Sequence, residues 1–237
     1  MAGAEIAADD GEDLTPYLKP GVYVDSDHPD VIAFAKQAAG TDGSDLEKAV
    51  RIFYAIRDGF RYNPYGVDLT EDGIKGSGVI ARNHGFCITK SALMAACCRV
   101  VGIPARLGYA DVRNHLASKR MLELQGTDLF VFHGFAEIYL EGKWVKATPV
   151  FNLSLCDKFG VLPLEFDGRN DSVFHPFDKA GNKHMEYVRD RGFYADVPLA
   201  EMRQVFQEVY PQMYGRPAGE MPEGDMEKEL EAERQAK

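Results

Sequence analysis

The spacing of apolar residues changes once along the chain, and that change limits the folds open to it. Up to Val101 the spacing is helical, and from Ala105 to Phe151 it is alternating. A helix with one buried face needs apolar residues at i, i+3, i+4 and i+7, whereas a half-buried strand needs every second residue. In "SDLEKAVRIFYAIRDGFRY", Leu46, Val50, Phe53, Ile56 and Phe60 follow the helical rule, and Ser44 with Glu47 forms an S-x-x-E capping pattern. "HPDVIAFAKQAAG" reads as a shorter helix and "NPYGVDLTEDGIKGSG" as loop. A second strong helix is expected from about Cys87 to Val101, with Cys87, Ser91, Met94, Cys98 and Val101 on one face. Gly102 can end it in a left-handed cap, and Pro104 prevents continuation. Beyond it, "ARLGYADV", "DLFVFHGFAEIYL" and "KWVKATPVF" read as strands, the last two joined by a tight turn at Glu141-Gly142. Helices first and a strand meander after argue for an α+β fold.

The flanking regions carry weaker patterns. Residues 1–20 are polar, residues 153–197 are mixed and turn-rich, and residues 199–214 suit a further helix. The end, "GEMPEGDMEKELEAERQAK", is charged and poor in apolar residues, so a solvated helix or a disordered tail is expected. The formal net charge of -10 repels phosphate backbones, which argues against a nucleic-acid partner. No apolar run is long enough to span a bilayer. "MAGAEIAADDGEDLTPY" lacks a basic stretch followed by an apolar one, so no secretion signal is expected. Four cysteines, two of them adjacent, do not suit a disulfide framework, and a reducing cytoplasm is the expected compartment. No motif calls for a cofactor. His175, Asp178, His184 and Glu186 have a spacing that fits no metal motif, so no metal is expected either. The sequence does not indicate an oligomeric state.

The chemistry centres on Cys87. A thiol reacts as its thiolate, and a helix start offers partial positive charge and free N–H groups that favour it. The same N–H groups can receive an oxyanion. Gly85 is expected to let the chain turn sharply before the cysteine, and Asn83 or His84 could add a side chain to the oxyanion site. Cys97 and Cys98 lie deep in the helical pattern, and Cys156 has no evident base nearby. Taken alone, a free cysteine is more often a core residue than a nucleophile. His133, mid-strand and beside Gly134, supplies a possible base. If Leu140 and Lys143 flank a two-residue turn, paired positions add to 283. Glu137 then faces Lys146 as a cross-strand ion pair, Phe135 faces Thr148 and His133 faces Val150. Thr148 and Asn152 become diagonal neighbours of His133, either of which could orient the imidazole.

"GFCITKSALMAACCRVVGIPAR" followed by "HGFAEIYLEGKWVKATP" resembles the transglutaminase-like superfamily, which shares a papain-like core. The resemblance covers about residues 46–152. It rests on G-x-C at a helix start, G-I-P-A-R after that helix, and an H-x-F-x-E-x-Y strand followed by a W-containing strand. It implies an α+β fold in which the helix bearing Cys87 packs on an antiparallel sheet, with Cys87 as nucleophile and His133 as base. It also implies one domain over residues 1–200, with core 46–152 and extension 153–200, followed by a helix and charged tail over 201–237. The family's aspartate position falls on Thr148, which can accept a hydrogen bond but carries no charge. Asn152, Asp167, Asp171 or Asp178 could stand in. The implied activity is acyl transfer from a peptide, protein or small amide to water or an amine. Two other readings compete: a binding module that keeps the cleft without turnover, and an interaction protein that uses the charged tail.

Overall fold

The helix that begins at Cys87 runs to Val100, and nearly all of its residues are buried. A helix enclosed on all sides belongs at the middle of a molecule. The computed structural model describes residues 11–175, 177–214 and 224–235, so residues 1–10 of the polar start and parts of the charged tail lie outside the described residues. The elements are α1 (Pro29–Ala39), α2 (Asp45–Gly59), β1 (Arg61–Tyr62), α3 (Ser77–Arg82), β2 (His84–Gly85), α4 (Cys87–Val100) and β3 (Ala105–Asn114). They continue with α5 (Lys119–Gln125), β4 (Leu129–Leu140), β5 (Lys143–Ala147), α6 (Leu153–Phe159), β6 (Met185–Tyr194), α7 (Leu199–Val209), α8 (Pro211–Tyr214) and α9 (Met226–Gln235). β5, β4, β3 and β6 form an antiparallel sheet in that order. α4 lies between this sheet and the pair α1–α2. The fold is α+β, with the cysteine-bearing helix packed on an antiparallel sheet, as the sequence implies.

Local chemistry sets the two main helices. Ser44 and Glu47 form the expected capping box, with the Ser44 N–H donating to Glu47 Oε2 at 2.7 Å and the Glu47 N–H to Ser44 Oγ at 3.3 Å. α4 ends in a Schellman motif: Gly102 has φ +81°, its N–H donates to the Arg99 carbonyl at 3.0 Å, and the Ile103 N–H reaches the Cys98 carbonyl at 2.9 Å.

The hairpin has the expected register from Leu140↔Lys143 to Ala136↔Ala147. Glu141 (φ 49°) and Gly142 (φ 85°) are both left-handed, as a two-residue turn matched to the strand twist requires. The ladder then stops short of the expected pairs Phe135–Thr148 and His133–Val150. Pro149 has no N–H to offer, and the Val150 N–H turns back to the Thr148 carbonyl at 2.9 Å. Ser172 pairs with the outer edge of β5, its N–H donating to the Lys146 carbonyl at 2.8 Å. Glu137 faces Lys146 in register, but its ion pair is with Arg106 at 2.6 Å, while Lys146 lies over the Phe135 ring.

The mixed segment 153–197 contributes α6 and the edge strand β6. The expected helix 199–214 divides at Tyr210, because Pro211 starts a new short helix. The described part of the tail is a helix, α9, and it is not merely solvated: Met226 and Leu230 are buried and it packs on α6.

Candidate active site

Cys87 is the first residue of α4. The preceding Phe86 N–H donates to Thr89 Oγ1 at 3.1 Å, which closes the helix start from within. Gly85 has no left-handed φ and does not make the sharp turn expected of it. It is paired in β2, and a Cβ there would lie 2.8 Å from Thr89 Oγ1, so closeness to the cap is what excludes a side chain. Gly134 plays the matching part on β4. A Cβ at Gly134 would lie 3.1 Å from Ile88 Cα and 3.3 Å from the Cys87 carbonyl oxygen. The helix start can therefore rest directly on the strand that carries His133. Burial pushes the Cys87 thiol up to about 11, opposed by the N–H groups of Gly134, Ile88 and Cys87 itself. Cys97, Cys98 and Cys156 are buried, with their thiols also pushed up by burial, whereas Cys87 is half-buried.

His133 follows a local irregularity in β4. The β3–β4 register shifts between Ala110 and Val112, and Phe132 takes a left-handed φ of 54°. Bulges of this kind re-aim the side chains that follow. Asp111 holds this one: its Oδ1 accepts the Phe132 N–H at 3.1 Å. The same carboxylate pairs with Arg191 of β6 at 2.5 and 2.9 Å, and the Arg191 guanidinium lies 4.2 Å from the centre of the Phe132 ring. His133 itself is 4 % exposed. Burial, with a smaller contribution from His184, lowers its imidazole to about 4. Its ring lies 5.1 Å from that of Phe174.

Cys87 and His133 line one pocket, with a cavity volume of about 60 Å³ that opens to solvent. The other expected site residues do not join them as anticipated. His133 Nε2 and Thr148 Oγ1 are both buried without a hydrogen-bond partner, so Thr148 does not hold the imidazole. Asn152 is committed elsewhere. Its Oδ1 accepts the Tyr62 N–H at 3.0 Å, and its Nδ2 donates to Ser154 Oγ at 2.6 Å and to Glu227 Oε1 at 3.3 Å. This amide ties β1 to α6 and α9 rather than orienting His133. Asp167 and Asp178 cap their own loops, and Asp171 accepts the Lys146 N–H at 2.9 Å. Asn83 is exposed and ends α3 in a left-handed conformation, while His84 is half-buried; neither lines the pocket.

Several pocket residues were not anticipated. Tyr62 enters from β1, and Phe206, Tyr210, Met213 and Tyr214 from α7 and α8. The usable signal was the stripe of Met202, Phe206, Tyr210 and Met213 at helical spacing, which marks a helix face that must cover something apolar. The motif residues Arg106, Glu137 and Trp144 form a separate cluster. Arg106 pairs with Glu137 and lies 3.9 Å from the Trp144 ring centre, and none of the three lines the pocket. This part of the motif ties β3, β4 and β5 together, whereas Cys87 and His133 face the cleft.

Solved structures similar to the chain include two candidate proteases. One is a candidate cysteine protease from Cytophaga hutchinsonii, with 20% sequence identity and a TM-score of 0.45, covering 76% of this chain and 54% of that one. The other is a candidate protease from Parabacteroides distasonis, with 16% identity and a TM-score of 0.37, covering 57% of this chain and 25% of that one. The chain thus spans about half the length of the first and a quarter of the second. No curated protein matches it in sequence. Residues 32–149, about half of the chain, match the family model of the transglutaminase-like superfamily, a stretch that runs from within α1 to just past β5 and includes both Cys87 and His133; the chain belongs to that superfamily.

Proposed function

We propose that the protein is a cysteine-dependent acyl-transfer enzyme acting on an amide, with Cys87 as nucleophile and His133 as general base. The observation that carries this reading is the shared pocket: a half-buried thiol at a helix start and an imidazole on the adjoining strand face the same cleft. With the thiol pushed up to about 11 and the imidazole lowered to about 4, both are uncharged at rest near neutral pH. The proton then moves as the sulfur attacks. His133 takes the thiol proton. Sulfur forms a bond to the carbonyl carbon, and the carbonyl π pair moves to oxygen, where N–H groups at the start of α4 receive it. Collapse breaks the carbon–nitrogen bond, and His133 returns the proton to the departing amine. Water or an amine releases the acyl group from the thioester and restores the thiol. The substrate class is a peptide, protein or small amide. Four free thiols fit a reducing compartment.

The test is capture of the acyl-enzyme. Incubation with p-nitrophenyl phenylacetate should release a burst of about one p-nitrophenol per chain and leave a phenylacetyl adduct on Cys87. Cys87→Ser should abolish both, and an unchanged burst in that variant would sink the reading. A second reading has one specific support: His133 Nε2 has no orienting partner and the usual aspartate position is Thr148. In that reading the protein is a binding module that retains the cleft. It predicts amides that bind in the cleft but are neither cleaved nor transferred.

A further inference from the structure

The pocket at Cys87 has no charged wall. Tyr62, Phe86, Met121, Phe206 and Met213 are among its lining, and no Asp, Glu, Lys or Arg is among the described residues that line it. Two of its polar side chains, Tyr210 and Gln125, are bonded to the strand that carries His133. The Tyr210 hydroxyl accepts the Val131 N–H at 2.7 Å and donates to the Leu129 carbonyl at 2.9 Å, and Gln125 Nε2 donates to the same carbonyl at 2.8 Å. These bonds fix the α7–α8 junction and the end of α5 to β4 within a few residues of His133. The wall they form is therefore in register with the proposed base. A charged group entering here would lose its hydration and gain no counter-ion, while an apolar one would lose nothing. Phe206 and Met213 lie beyond the residues matched by the superfamily, which end at 149. Part of the pocket wall thus comes from outside the stretch that carries Cys87 and His133.

We infer that the pocket accepts an acyl donor whose group beside the scissile carbonyl is uncharged and apolar, aromatic or branched aliphatic, and that Phe206 and Met213 select it. The inference rests on the acyl-transfer reading, because the pocket matters as a substrate site only if Cys87 attacks what enters it. It makes α7 and α8 the specificity wall of the enzyme.

The experiment uses three iodoacetanilides whose rings carry a para methyl, carboxylate or trimethylammonium group. Each reacts by displacement: the sulfur–carbon bond forms as the carbon–iodine bond breaks, iodide leaves with the bonding pair, and the thiol proton passes to His133. The rate at Cys87 in the full chain is followed by mass spectrometry and divided by the rate with N-acetylcysteine. The methyl reagent should be favoured over both charged ones by at least ~10-fold. Met213→Ala and Phe206→Ala should each shrink that preference by at least ~3-fold. Ratios for the three reagents within about twofold of one another would overturn the inference, as would a preference untouched by both variants. His133→Ala separates this from the underlying reading. If it slows all three reagents alike while their ratios stay apart, both stand. If it leaves every rate unchanged, the acyl-transfer reading falls whatever the ratios. Absence of labelling at Cys87 by any reagent overturns both.

Discussion

Cys87 and Lys90 stand about one turn apart on α4, and burial acts on them in opposite directions. It pushes the thiol up to about 11 and draws the ammonium down to about 7. Lys90 is fully buried, and its Nζ donates to the carbonyls of Arg57 at 3.1 Å, Phe60 at 2.7 Å and Val150 at 2.8 Å. Arg57 and Phe60 belong to the end of α2, where helix carbonyls lack partners and a cation is favourable. Val150 follows the point where Pro149 ends the hairpin ladder. One side chain thus satisfies two exhausted elements at once. Lys90→Met should leave these carbonyls unpaired and lower stability by about 2–4 kcal/mol in urea unfolding. A loss under about 0.5 kcal/mol would contradict this account of Lys90. The sequence made Cys87 legible because a helix start, a glycine and a helical apolar pattern coincide there. Lys90 was hidden, since a lysine within a helical pattern normally marks the solvent face.

At the scale of elements, the bulge before His133 depends on β6. A left-handed phenylalanine costs about 1–3 kcal/mol and persists only where its surroundings over-determine it. Here Asp111 accepts the Phe132 N–H, and Arg191 holds Asp111 from the edge strand. Asp111→Ala would leave the Arg191 guanidinium with only the longer contact to Glu201 at 4.0 Å, and should cost about 3–5 kcal/mol in chemical denaturation. Asp111→Val combined with Arg191→Met should recover most of that stability yet still acylate Cys87 more slowly, because the N–H anchor that aims His133 is gone. Equal acylation by the double variant and the natural protein would make the pair purely structural. The hairpin register was readable because Glu141-Gly142 dictates its turn. β6 was not readable for a physical reason. It forms by main-chain pairing with β3, and of its residues only Met185 is buried, so no apolar alternation marks it. The orienting roles expected of Thr148 and Asn152 failed for a related reason: they assumed a ladder that Pro149 interrupts.

At the scale of the whole molecule, a superfamily core is completed by β6 on one sheet edge, Ser172 on the other, and α7–α8 across the cleft. The interior this creates holds two histidines, His133 and His184, both lowered to about 4 by burial. In the unfolded chain each would bind a proton below about 6.5, whereas the folded state refuses it until about 4. Their contribution to stability is therefore complete above about pH 6.5 and is lost as pH falls towards 4, by roughly 3 kcal/mol for each. Urea midpoints should drop between pH 7 and pH 4.5, and His184→Phe, beside the rings of Phe151 and Phe174, should flatten part of that slope. Equal midpoints at the two pH values would show that the histidines are not buried as uncharged groups. The claim on which function rests is that His133 serves Cys87. Its most direct test is the rate of Cys87 alkylation by iodoacetamide across pH 5 to 11 in the natural protein and in His133→Ala. The account predicts substantial reactivity at neutral pH in the natural protein. In the variant that reactivity should fall on the order of 100-fold and return only as the thiol itself ionises towards about 11. Superimposable profiles would contradict it.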